Sequence, residues 1–258
     1  MMRILLTRSA LHNMLLHSAL KEGMSDRDLI VLEAPLLEQV PMINSEENLA
    51  VFLQDKEITE AIFISPSSVE FGVKKVLQSM ELSRVFAVGK GTANMLKNHM
   101  DSFDDLAMQD VSIIYPDKAV GSNALLSLPE MHTLSGKQVL IVTGAEGKPF
   151  LEKKLLSRGV KVSRWECYQR QKPVQLKQQL SEVFQQSLDY VFLHSAHAAQ
   201  HFLTSMPEHV SSTSITAIVG AQAIADELVK SGWEGVICVA NSPMPKDMSV
   251  AFSAQLQD

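Results

Sequence analysis

Short apolar runs recur along the whole chain, and each is followed by a helical stripe. The runs Ile4–Thr7, Ile30–Leu32, Ala61–Ile64, Val85–Val88, Ser112–Ile114, Val139–Val142, Val160–Ser163, Val191–Leu193, Ile215–Val219 and Val236–Val239 predict strands. They are apolar at successive rather than alternate positions, the pattern of parallel strands covered on both faces. Helices follow from apolar residues three and four apart: Leu11, Leu15, Leu16 and Leu20; Phe71, Val73, Val76 and Leu77; Leu151, Leu155 and Leu156. Gly23, Gly159 and Gly232 stand where helix C-caps are expected. The pattern predicts an α/β fold with parallel sheets.

The chain also repeats itself. Residues 60–96 and 189–228 each hold an apolar run ending in Ser (Ser65, Ser195), a helical stretch, a second apolar run, and a Gly (Gly89, Gly220) that opens another helix. The Ser-to-Gly spacing is 24 residues in the first copy and 25 in the second. A second pair, residues 3–41 and 137–173, shares a strand–helix–strand order. Repeats of this kind predict two similar α/β units, and hence a cleft between them. Leu32–Pro41 and Arg164–Pro173 interrupt the alternation. Pro35 and Pro41 exclude a helix interior in the first, so both are expected to be linkers or a pair of bridging strands. The acidic run Asp101–Asp110 reads as a solvated loop.

Composition narrows the function classes. A net charge of −6 disfavours a general nucleic-acid binder, which needs clustered Lys and Arg. It does not exclude a small anionic ligand held by helix N-termini and a few cations. No apolar run is long enough to span a bilayer, and Ile4–Leu6 is too short for the apolar core of a leader. Cys167 and Cys238 are far apart and form neither a disulfide framework nor a metal-ligand spacing; both are expected to be small apolar residues in a reduced cytoplasmic protein.

Candidate chemistry gathers after the strands. Thr143–Pro149 reads Thr-Gly-Ala-Glu-Gly-Lys-Pro between a strand and a helix. Gly144 and Gly147 would let backbone N–H groups face an anion, with Lys148 beside them, although a plain structural turn is an equal reading. The loop is neither a Walker A sequence nor a dinucleotide fingerprint. Ser65 and Ser68 in Ser-Pro-Ser-Ser, and Ser195 and Ala196 in His-Ser-Ala-His, lie at strand ends, where ligands bind in open α/β sheets. Their hydroxyls can cap the next helix at the same time. Gly89-Lys90-Gly91-Thr92 opens a helix, and Gly220-Ala221-Gln222-Ala223 matches it in the second copy without the hydroxyl of Thr92. His194, His197 and His201 suggest a metal site, but no third acidic ligand accompanies them, so solvated helix histidines are expected. Tyr168 lies on the second bridging stretch and can either pack or act as a weak general acid.

The ordered set of Ile4-Leu5-Leu6-Thr7-Arg8, the FISPSSVEF run, the AVGKGTANML run, the passage from GSNALL to LSGKQVLIVTG, ECYQR followed by Pro173, and the Gly232-Trp233 helix end resembles the uroporphyrinogen-III synthase family. No one of these motifs is specific; their order over nearly the whole chain is. The resemblance implies two flavodoxin-like or HUP-like domains joined by a two-stranded antiparallel linker, with a cleft between them. Domain one would comprise residues 1–35 and 172–258, domain two residues 42–165, and the bridging strands residues 36–41 and 166–171. It implies cyclisation of the linear tetrapyrrole hydroxymethylbilane, with inversion of ring D, loss of water and a spiro intermediate, without cofactor or metal. Tyr168 would be the proton donor. Arg8, Ser65, Ser68, Thr92, Ser122, Gly144, Gly147, Lys148, Ser195, Ala196, Gly220 and Ala221 would contact substrate. A monomer is expected, with transient contact to the preceding pathway enzyme, since the substrate is unstable. Family members often carry Arg at the positions of Thr143 and Lys148, and Thr near Gln222 and Ala223, so this chain's site is expected to work largely through backbone and shape. The competing reading is a two-lobed cytoplasmic binding protein for a small anion.

Overall fold

A computed structural model describes residues 1–22, 29–43, 49, 52–54, 57–102 and 111–256. Most of the acidic run and Gly23 fall outside the described residues. The chain divides into two compact units, Met1–Glu38 with Gln171–Asp258, and Gln39–Arg170.

In the first unit, β1 (Met2–Leu6) leads into α1 (Ala10–Glu22), followed by β2 (Leu29–Glu33). The chain returns to this unit after residue 170. There β9 (Tyr190–Leu193), β10 (Thr216–Val219) and β11 (Ile237–Val239) complete a five-stranded sheet of order β11-β10-β9-β1-β2. Every pairing in it is parallel. Successive residues of a strand feed opposite cores. Leu5, Val191, Leu193, Ala217 and Val219 join Phe202, Leu228 and Trp233 on one face. Ile4, Leu6, Phe192 and Ile218 join Leu16, Leu20, Met248 and Phe252 on the other. Continuous apolar runs are thus what a sheet covered on both sides requires, and each such Leu, Ile or Phe contributes about 1.5–3 kcal/mol by leaving water. Gly232 follows the helix Gln222–Lys230 with φ +86°, and Gly159 follows Phe150–Leu156 with φ +76°, so both close helices in the left-handed region.

In the second unit, β4 (Ile58–Phe63), α2 (Pro66–Ser79), β5 (Arg84–Ala87), α3 (Lys90–Asp101) and β6 (Ser112–Ile114) follow one another. After two short helices, α4 (Ser122–Leu126) and α5 (Pro129–His132), come β7 (Gln138–Gly144), α6 (Phe150–Leu156) and β8 (Lys161–Gln171). With β3 (Glu38–Pro41) they form a six-stranded sheet of order β3-β8-β7-β4-β5-β6. The pairings of β4 with β5 and β7, of β5 with β6 and of β7 with β8 are parallel. Here too Phe63, Val85 and Val142 face one core while Ile62, Phe86 and Ile141 face the other.

Two sequence expectations change. The Val160–Ser163 strand and the stretch beginning at Arg164 are one 11-residue strand, because Ser163, Trp165 and Cys167 turn inward at a period of two. In α1 the buried positions are Asn13, Leu16 and Leu20, whereas Leu11 (62%) and Leu15 (49%) are exposed. The Asn13 side chain accepts the N–H of Arg8, which rotates the first turn inward at the polar residue.

One buried charge stands out. The Glu60 side chain is 1% exposed on β4 and lies 2.9 Å from Arg84 and 2.6 Å from Lys137, with Thr59 donating to it at 2.8 Å. Burial alone would raise its pKa; the hydrogen bonds from Arg84, Lys137 and Thr59 outweigh it and hold the carboxyl below its usual value.

Candidate functional site

In the second unit the nominated residues lie at or past the carboxyl ends of β4, β5, β6 and β7, with Tyr168 supplied by β8. Ser65 caps α2: its Oγ accepts the N–H of Ser68 at 3.0 Å, and the Ser68 hydroxyl accepts the N–H of Ser65 at 3.1 Å. This reciprocal cap fixes the Ser65 hydroxyl, which is 3.2 Å from the Tyr168 hydroxyl. The Tyr168 ring is 7% exposed and stacks on Phe71 with centroids 5.6 Å apart. Gly144 is the floor beneath that ring. A Cβ at Gly144 would lie 2.6 Å from Cζ and 3.0 Å from the hydroxyl of Tyr168.

The glycine loop is braced from within. The N–H of Ala145 donates to the Tyr168 carbonyl at 2.9 Å, and that of Gly147 donates to the Gly144 carbonyl at 3.0 Å. These two amides are therefore used inside the protein rather than offered to an anion. Arg164 donates to the Gly147 carbonyl at 2.9 Å and pairs with Glu166 at 2.9 Å. Gly147 leaves room for this: a Cβ there would lie 2.3 Å from the Thr143 hydroxyl and 3.1 Å from the Arg164 guanidinium. Lys148 is exposed. Thr92 is 3% exposed on α3, and Ser122 opens α4 behind Gly121, whose N–H donates to the Val88 carbonyl at 2.8 Å. The structure thus joins Ser65, Ser68, Gly144, Gly147 and Tyr168 in one cluster. Thr92 and Ser122 sit at neighbouring strand ends and share no hydrogen bond with that cluster among those described.

Cys167, next to Tyr168, is fully buried with its Sγ 3.5 Å from the Thr143 carbonyl. Burial pushes its thiol up to about 12. Iodoacetamide at about pH 8 is expected to leave Cys167 unmodified in the folded protein and to alkylate it in denaturant, read by peptide mass spectrometry. Alkylation of folded protein at the denatured rate would contradict this burial.

In the first unit, Arg8, Ser195, Ala196, Gly220 and Ala221 follow β1, β9 and β10, which are adjacent strands. Ser195 caps the helix Ala196–Ser205 through the N–H of Ala198 at 3.1 Å. Gly220 is required by close approach, since a Cβ there would meet Pro243 at 2.7 Å. Arg8 is partly buried, and burial lowers its pKa. Two of the three histidines, His194 and His201, differ from the expectation of solvated helix residues. His197 is exposed, and His201 holds the Leu36 carbonyl at 2.8 Å. His194 lies before the helix with a buried Nδ1 that has no hydrogen-bond partner. Burial, then the charges of Arg8 and His12, lower its pKa to about 4. Among the described residues, no group of three His, Cys, Asp or Glu is placed to hold a metal.

Sequence reasoning missed Arg164, and it singled out His194 only as a possible metal ligand or a solvated histidine. The period-two burial of β8 could have placed Arg164 on the outward face with Glu166. Nothing local marks His194 as buried.

A family model described as uroporphyrinogen-III synthase HemD matches residues 18–249. The chain belongs to the uroporphyrinogen-III synthase family. It is 41% identical over 87 residues to the uroporphyrinogen-III synthase of Salmonella typhimurium, covering 34% of this chain and 32% of that protein. It is 38% identical over 88 residues to that of Escherichia coli, covering 33% and 31%. The aligned stretch spans about a third of the length of these relatives. The crystal structure of uroporphyrinogen-III synthetase from Helicobacter pylori superposes with a TM-score of 0.55 at 14% identity, over 99% of each chain, and shows the same fold. Among the described residues, no helix is long and apolar enough to cross a membrane.

Proposed function

We propose that the protein cyclises hydroxymethylbilane to uroporphyrinogen III with inversion of ring D and loss of water. The observation that carries this reading is the Tyr168 hydroxyl held 3.2 Å from the Ser65 hydroxyl, in a chain of this family. Tyr168 donates its proton to the leaving hydroxyl, which departs as water. The resulting azafulvene cation is attacked by the substituted carbon of ring D, and the spiro intermediate fragments and recloses. A proton lost from carbon on the final closure restores the phenol. The protein's work is mainly to hold the reacting carbons in the geometry that the uncatalysed closure does not adopt, and to stabilise the cation. Tyr168, packed between Phe71 and Gly144, offers a donor held in place. Acetate and propionate groups of the substrate are taken up at the strand-end loops, with Arg8, Thr92, Ser122, Lys148 and Ser195 among their partners. The protein acts as a cytoplasmic monomer that receives its unstable substrate through transient contact with the enzyme that makes it.

Incubation with freshly made hydroxymethylbilane, then oxidation and chromatography of the porphyrin isomers, tests the reading. The type III isomer is expected in excess. Only the type I isomer, the product of unassisted closure, would overturn it.

A further inference from the structure

The carboxyl ends of β1 and β9 hold a group of basic side chains that the proposed chemistry does not use in full. These strands pair in parallel with Leu6 level with Phe192, so Arg8 and His194 leave the sheet two residues beyond, side by side. Thr7 fixes the junction by donating to the Phe192 carbonyl. The backbone of Arg8 is tied down by the Asn13 side chain at 2.9 Å. Its guanidinium makes no hydrogen bond or ion pair among the described residues, although it is partly buried. His194 beside it has a buried Nδ1 with no partner. His12, the third member, is engaged by the Ser9 hydroxyl at 2.8 Å.

An unpaired, partly buried guanidinium next to an unpaired, buried ring nitrogen is costly unless something completes the pair. The charges on the neighbouring elements do not. Arg8, between β1 and α1, and His12 on α1 are both basic and lower the His194 pKa. Glu33 of β2 acts on His17 instead. On the helix after His194, His197 is exposed and His201 is held by the Leu36 carbonyl. On the helix Gln222–Lys230, Asp226 accepts from Gln222 at 2.8 Å, and beyond β11 Asp247 is bound by Ser242.

We infer that Arg8 and His194 together bind one carboxylate of the ligand, and that His194 takes up a proton from solvent as the carboxylate arrives. The guanidinium donates to one carboxylate oxygen, and protonated Nδ1 donates to the other. The first turn of the helix capped by Ser195 adds favourable potential. Without the anion, burial and the two basic neighbours keep the imidazole neutral; the carboxylate reverses that balance. The source of the carboxylate rests on the proposed function. The pairing of Arg8 with His194 does not.

The linkage has a definite sign. A group whose pKa rises on binding makes binding stronger as pH falls from the bound pKa towards the free one. For wild-type protein, KM for hydroxymethylbilane is expected to fall by up to about tenfold from about pH 8 to about pH 6. In His194→Gln it should stay flat over the same range. Arg8→Gln should raise KM about tenfold at every pH. A second measurement needs no variant: the heat of binding uroporphyrin III, measured near pH 6 in buffers of different ionisation enthalpy, should report uptake of about one proton. Equal pH slopes in wild type and His194→Gln, or zero proton uptake, would overturn the inference. Loss of the proposed function shows separately, as type I product from the wild-type protein.

Discussion

Replacing Tyr168 by Phe is expected to cut the rate of type III product formation about a hundredfold while leaving the fold intact, the loss typical of removing a general acid. The ring remains stacked on Phe71 and seated on Gly144, so packing is conserved. Among the described residues the lost contact is the hydrogen bond to Ser65, worth about 1 kcal/mol. A residual rate should persist, because positioning of the reacting carbons does not depend on the phenol. Unchanged turnover in Tyr168→Phe would remove Tyr168 from the mechanism.

Gly144→Ala should fall to a similar rate for a different reason. The new methyl would lie 2.6 Å from Cζ of Tyr168, so ring or loop must shift by more than the tolerance of a positioned donor. The loop cannot yield freely, since Arg164 holds the Gly147 carbonyl and Ala145 is bonded to the Tyr168 carbonyl. If Gly144 acts through Tyr168, the two effects will not multiply, and Gly144→Ala with Tyr168→Phe should be about as slow as either alone. A double variant slower by the product of the two factors would show that Gly144 contacts substrate by itself.

Much of the fold was legible because each central strand advertises burial on both faces. Ile4, Leu5 and Leu6 serve opposite cores in turn, and a continuous apolar run is the only way to write that. The repeat carried its landmarks correctly to strand ends: Ser65 and Ser195 cap equivalent helices. Legibility failed where a distant partner decides. Leu11 and Leu15 fit a helical stripe as well as Leu16 does; the cap from Asn13 to Arg8 selects which face turns inward. The Gly144–Gly147 loop looked like an anion cradle because glycines free the backbone. That two of its amides are already spent follows from the pairing of β7 with β8, where Gly144 stands opposite Tyr168. Arg164 and His194 gained their settings from register and burial, neither of which is written beside them.

The Glu60 cluster is the extreme case, since its cations come from 24 and 77 residues away. It also yields the largest expected effect on stability. Arg84 and Lys137 keep partial access to water, 22% and 45% exposed, whereas the carboxylate is 1% exposed. Removing the cations should therefore cost more than removing the anion. Glu60→Gln keeps the shape and leaves two cations that can turn to solvent. The double variant Arg84→Leu with Lys137→Leu strands a buried carboxylate and is expected to lose about 3–5 kcal/mol near neutral pH. The pH dependence should also invert. In the wild type the folded pKa of Glu60 is depressed, so its contribution is present above the unfolded carboxylate value and is lost as pH falls through the folded one. In the double variant only the Thr59 hydrogen bond still opposes burial, the largest influence, so the folded pKa rises and stability should instead be gained as pH falls towards about 4 and lost as pH rises. Denaturant midpoints of the two proteins across that range decide the matter. Parallel pH curves would show that solvent, not Arg84 and Lys137, keeps Glu60 ionised.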